Sequence, residues 1–136
     1  MVTVGVRGQS TSYDFEPPSG CQKGDGDGDF EDEKGHKHHG SFHSDSCENG
    51  GGRVQDDDRD SGKHFESTST NSATFTYSED SQALTMIGAG LDNGFPVGFT
   101  MIAVDYGGLT PAIYTLTLTN GRSFTGTLVS GSLVIQ

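Results

Sequence analysis

Four carboxylates at close spacing, Asp25, Asp27, Asp29 and Asp32, form a set of hard oxygen ligands. Aspartates at alternate positions, separated by Gly26 and Gly28, supply the donors Ca²⁺ needs and a backbone able to fold around an ion. A solvated acidic loop is the leading reading of this run, with Ca²⁺ the candidate cofactor as the alternative. The run is not an EF-hand. Its sixth position is Phe30 where glycine is required, and its twelfth is His36 where a bidentate glutamate belongs. A second cluster, Asp56-Asp57-Asp58-Arg59-Asp60, alternates its side chains between two faces if extended, so its aspartates do not all meet one ion.

Soft and borderline ligands lie in the same stretch. His36 and His38 share a side if the backbone is extended, a spacing that chelates Cu²⁺, Ni²⁺ or Zn²⁺. Cys21 and Cys47 flank the acidic and histidine-rich segment. A disulfide between them is the expected state, stabilising by roughly 3–4 kcal/mol through loop closure. The other readings are two free thiols or thiolate zinc ligands, although structural zinc sites usually bring cysteines in close pairs. For catalysis, neither a G-x-S-x-G elbow nor an H-E-x-x-H pair is present, and the chain is read as a non-enzyme, with a hydrolase built from loop residues as the distant alternative.

The elements that must position these groups divide sharply. Residues 21–66 hold thirteen of the nineteen acids, all five histidines and both cysteines, whereas residues 67–136 contain four acids and one base. The later part alternates apolar residues with Thr, Ser and Gly, the pattern of half-buried strands. Strands are expected at 2–6, 11–16, 40–44, 63–69, 72–78, 82–88, 96–104, 111–119, 122–129 and 132–135. Turns fall at Pro17–Gly20, at 49–52, at 90–94 and at Asn120-Gly121, the last a strong hairpin signal. No helical apolar stripe of any length interrupts them. The expected fold is all-β, an antiparallel sandwich or open barrel. It forms one domain over 1–136, with 21–62 as a polar insertion or loop region. Its core should contain Phe75, Leu84, Met86, Val97, Phe99, Met101, Leu116, Leu118 and Leu128.

Composition narrows function by exclusion. A net charge of −11 disfavours nucleic acid and anionic membranes as partners. No apolar run approaches the roughly 18 residues of a membrane span. The start, MVTVGVRGQS, lacks the charged and apolar regions of a signal peptide, so any leader would lie outside this chain. An acidic, disulfide-bearing β domain is expected to be extracellular, with other extracellular proteins or polysaccharide as candidate partners.

Several segments together resemble the small post-COAP-type β domains of secreted bacterial proteins. They are Gly40-Ser41-Phe42, His64–Thr68, Gly88-Ala89-Gly90 with Asn93-Gly94, Phe99 to Val104-Asp105, Tyr114–Thr119, Gly126-Thr127-Leu128, Gly131 and Leu133. The resemblance covers roughly residues 38–136. It implies an extracellular accessory domain of β type without known chemistry, and the leading functional expectation is a non-catalytic structural or adhesive module, with a Ca²⁺-stabilised domain as the runner-up. The acidic, histidine-rich and cysteine-bearing stretch departs from that pattern.

Overall fold

The computed structural model describes residues 2–6, 9–13, 20–48 and 52–136. Among these, strands run over Val2–Val6 (β1), Gln9–Tyr13 (β2), Lys23–Glu31 (β3), Lys37–Asp45 (β4) and Arg53–Asp58 (β5). They continue over His64–Tyr77 (β6), Gln82–Asp92 (β7), Phe95–Asp105 (β8), Ile113–Leu118 (β9) and Ser123–Ile135 (β10). No helix occurs among the described residues. The expected all-β, antiparallel class is found, and its form is a closed barrel. Strands β3 to β10 each pair antiparallel with the next, and β10 returns to pair with β3. Eight strands enclose a lumen just wide enough for side chains to fill. The β1–β2 hairpin lies outside this ring, with β2 running parallel along the end of β6.

Closure explains why the sandwich expectation fails, and it corrects the insertion. Residues 23–58 are three of the eight barrel strands rather than a loop laid over a scaffold. Their acidity hides a period of two. In β3, Gly24, Gly26, Gly28 and Phe30 point inward while Asp25, Asp27, Asp29 and Glu31 point outward. The inward glycines make room for aromatic rings. A methyl group at Gly26 would overlap the Phe42 ring, and one at Gly40 would lie 3.1 Å from the ring of Tyr114. Strand β4 alternates likewise, with His38, Gly40, Phe42 and Ser44 inside and His39, Ser41 and His43 facing out.

The core joins both halves of the chain. Phe75, Leu84, Met86, Phe99, Met101, Leu116 and Leu118 are buried as expected, with Val97 and Leu128 packed against them. Phe30, Phe42, Val54 and Phe65 come from the polar half and are equally buried. The turn expected at 90–94 is tighter than its sequence suggests. β7 continues to Asp92, and Asn93 (φ 53°) with Gly94 (φ 89°) closes the hairpin to Phe95 as a two-residue turn with both φ positive. The strands expected at 63–69 and 72–78 are one strand, as are those at 122–129 and 132–135. The first absorbs two breaks in register and the second absorbs one. Residues 14–19 and 49–51, which carry the end of the second expected strand and two expected turns, lie outside the described residues.

A candidate functional site of paired acids and histidines

Barrel register sets acids against histidines on the outer surface. Asp29 of β3 lies opposite His39 of β4, His39 opposite Asp57 of β5, and Asp57 opposite His64 of β6. The row reads acid, base, acid, base across four strands. His39 Nδ1 is 3.0 Å from Asp29 Oδ1, and its Nε2 is 2.8 Å from Asp27 Oδ1. Two outward rows away, His43 Nδ1 is 2.6 Å from Asp25 and its Nε2 is 3.1 Å from Glu48. His64 Nδ1 reaches Asp57 Oδ1 at 2.6 Å.

With both ring nitrogens facing carboxylates, the doubly protonated form of His39 and of His43 is favoured. The hydrogen bond from Asp29 raises the pKa of His39, burial opposes this, and Asp27 adds to the rise. For His43 the order is Asp25 raising, burial lowering, then Glu48 raising. Asp29 is held below the usual carboxylate range by His39 and then by the Ser130 hydroxyl, which donates at 3.0 Å.

A second group lies inside the barrel, at the end that carries turns 32–36, 59–63, 93–94 and 119–122. His38 Nδ1 is 2.7 Å from Asp56 Oδ1, and the Tyr114 hydroxyl donates to Asp56 Oδ2 at 2.7 Å. Asp56 and Tyr114 have no exposed surface. The His38 ring stacks on Phe124 with centroids 3.7 Å apart, and its Nε2 faces Asp58 at 3.5 Å. Arg122 then bridges Asp58 at 3.8 Å and Asp92, to which it donates through two nitrogens at 2.6 and 3.0 Å. Burial, followed by the nearby Asp56 charge, pushes the Tyr114 phenol well above its ordinary range, so it stays a donor. Arg122 holds Asp92 below the usual carboxylate range.

Asp25, Asp27 and Asp29 share one outward face of β3, each hydrogen-bonded to a histidine. Asp32 lies past the strand and caps a turn, its Oδ1 accepting the Lys34 and His36 amides at 2.9 and 2.8 Å. Burial alone would raise its pKa, but these amides and the His36 ring hold it low. His36 and His38 are not on one face. β4 begins at Lys37, so His36 stays in the turn beside Asp32 while His38 enters the lumen.

Cys21 and Cys47 form the expected disulfide, with Cα atoms 5.5 Å apart, tying the approach to β3 to the exit from β4. Asp45 lies close to both sulfurs, the one grouping of three metal-ligand atoms among the described residues. The bond occupies those sulfurs, so they are not thiolate ligands in this state. Residue-type reasoning singled out these acids and histidines as ligands but missed the pairing of His39 and His43 with β3 aspartates and the inward placement of Asp56. The signal that would have found them is the period-two alternation in Gly24–Glu31 and His38–Asp45.

Compared with known proteins, the chain matches no family model, no curated protein and no solved structure.

Proposed function

We propose that the chain is a non-catalytic extracellular module, structural or adhesive, kin to the post-COAP-type β domains it resembles. One observation carries this reading. All five histidines have a carboxylate oxygen within 3.2 Å, and these pairs run between neighbouring strands or across a turn instead of converging on an open cleft. Side chains able to do chemistry are thereby used to hold strands together. The disulfide is compatible with an oxidising location. The test has two arms. Fractionation of producing cells should recover the chain outside the cell with Cys21–Cys47 oxidised. A screen of ester, glycoside and peptide substrates should show no turnover. Turnover that disappears in His38→Gln would replace this reading with a hydrolase using the His38–Asp56 pair.

A second reading, stabilisation by Ca²⁺, draws on the common face of Asp25, Asp27 and Asp29. These carboxylates repel one another once His39 and His43 lose their protons, so a cation would bind better at pH 8 than at pH 6. Binding to the folded state at a hundredfold excess over Kd stabilises by about 2.7 kcal/mol. That is a melting-temperature rise of roughly 5–10 °C for a chain of this size. Asp27→Asn with Asp29→Asn should abolish the gain, and a melt unmoved by millimolar Ca²⁺ at pH 8 rejects it.

A further inference from the structure

Opening the Cys21–Cys47 bond changes what that corner of the barrel can hold. The two sulfurs and a carboxylate oxygen of Asp45 lie within 4.8 Å of one another. Asp45 is nearly buried, with Oδ1 accepting the Cys47 amide at 2.9 Å and Oδ2 3.9 Å from Lys23 Nζ. The Lys23 side chain is 48% exposed, so a metal ion can take its place. The cysteines are also held together by more than their own bond. Ser46 N donates to Gln22 O at 2.9 Å and Gln22 N donates to Ser46 Oγ at 2.8 Å, next to each cysteine in the chain. Beside them Lys23 pairs with Asp45 at the end of the β3–β4 ladder. With those contacts kept, reduction leaves the Cα atoms close to their present 5.5 Å. A tetrahedral Zn²⁺ with Zn–S bonds of about 2.3 Å sets two sulfurs about 3.8 Å apart, which rotation about the Cα–Cβ bonds supplies.

We propose that the reduced chain binds one Zn²⁺ through Cys21, Asp45 and Cys47, so that the disulfide is the closed state of a metal site. A dithiol reductant gives two electrons and two protons to the disulfide and itself becomes a disulfide. Zn²⁺ then displaces the two thiol protons, because the thiolate is the ligand. Two thiolates beside Asp45 place three negative charges together, and a divalent cation compensates them. Two sulfurs with one oxygen suit Zn²⁺, whereas Ca²⁺ and Mg²⁺ take oxygen ligands. Cys47 is exposed, which gives the ion a way in and leaves the fourth position to water. The cysteines are 26 residues apart, unlike the close pairs of structural zinc sites, and the β3–β4 hairpin supplies the proximity that the sequence does not. The site belongs to the reduced chain and requires neither an extracellular location nor Ca²⁺ binding on β3.

Titration with Co²⁺ tests it, because Co²⁺ substitutes for Zn²⁺ and its bonds to thiolate absorb in the near ultraviolet. The full chain is reduced with a phosphine, which becomes its oxide and leaves two thiols, and is titrated under argon. The thiolate–cobalt absorption should saturate at one Co²⁺ per chain, and added Zn²⁺ should erase it. The oxidised chain should show none. Asp45→Asn keeps an acceptor for the Cys47 amide and should weaken Co²⁺ binding by at least about tenfold, since even the partners of metal ligands cost 10–100-fold. Circular dichroism checks that each form is folded. Lys23→Gln, which removes the cation facing Asp45 and should tighten binding, is read if Asp45→Asn is not folded. Absent thiolate absorption, saturation at one Co²⁺ per two chains, or unchanged affinity in the variant that is read overturns the proposal. So does equal Co²⁺ binding by the oxidised chain, which would assign the ion to the histidine face. A reduced chain that is unfolded and stays so with Zn²⁺ overturns it as well.

Discussion

Tyr114 and Asp56 meet where neither has any contact with water, the phenol donating to the carboxylate at 2.7 Å. The same carboxylate takes His38 on its other oxygen, so removing it orphans two buried partners at once. Asp56→Ala should cost about 3–5 kcal/mol, the usual penalty for breaking a buried charged network. Tyr114→Phe keeps the ring and loses one hydrogen bond, costing about 1–3 kcal/mol. Denaturant melts of the two variants check the ranking, and equal costs would show that the network is not what holds this end together.

Gly26 and Phe42 make a complementary pair in which one residue supplies the space the other fills. Gly26→Ala should destabilise by about 1–3 kcal/mol through overpacking. Combining it with Phe42→Leu should recover part of that loss. A double-mutant cycle reads the coupling, and simple additivity would mean the ring is not held against β3.

The fold was largely legible after residue 66 and poorly legible before it, for a physical reason. In the later strands the inward positions are apolar, so burial and residue type agree, and Leu84, Met86, Phe99, Met101, Leu116 and Leu118 identify themselves. In β3 three of the four inward positions are glycines, whose missing side chains are replaced by the Phe42 ring and by Leu84 and Leu128. Ligand chemistry then reads most naturally from Asp25, Asp27 and Asp29, and the strand beneath them is easily overlooked. Asp56 has the same difficulty. Within a run of aspartates nothing marks the one that faces inward, because that depends on register with Gly40 and Phe65.

Stability should peak in weakly acidic solution. The folded pKa values of His39 and His43 are raised, so their contribution is complete below the unfolded value of about 6.5 and is lost as pH climbs through the higher folded values. Asp29 and Asp92 are depressed, so theirs is present above about 3.9 and is lost as pH falls through the lower folded values. Melting temperature should therefore be highest between about pH 4 and 6.5 and decline on both sides. His39→Gln with His43→Gln should flatten the alkaline limb alone. An unchanged alkaline limb in that double variant would show that these ion pairs add nothing to the fold.

Reducing the disulfide should lower stability without dissolving the barrel, because Cys21 and Cys47 lie beyond the paired ends of β3 and β4. Cys21→Ser with Cys47→Ser should cost roughly 3–4 kcal/mol in the loop-closure account. The variant should keep its strand-rich circular dichroism and melt at lower temperature. Loss of that spectrum at room temperature would mean that the bond is required for the β3–β4 hairpin to form.

In a ring where each strand pairs with its neighbour in sequence, seven of the eight seams can zip locally, and only β3 with β10 must find each other across the whole domain. Loop-closure entropy falls almost entirely on that one step, which makes it the natural bottleneck of folding. The same seam holds a break in register between Leu128 and Ser130. Amide protons along it, such as those of Asp27 and Ser132, would then be the first in the barrel to exchange as the molecule breathes open. The ring would come apart where it was last joined.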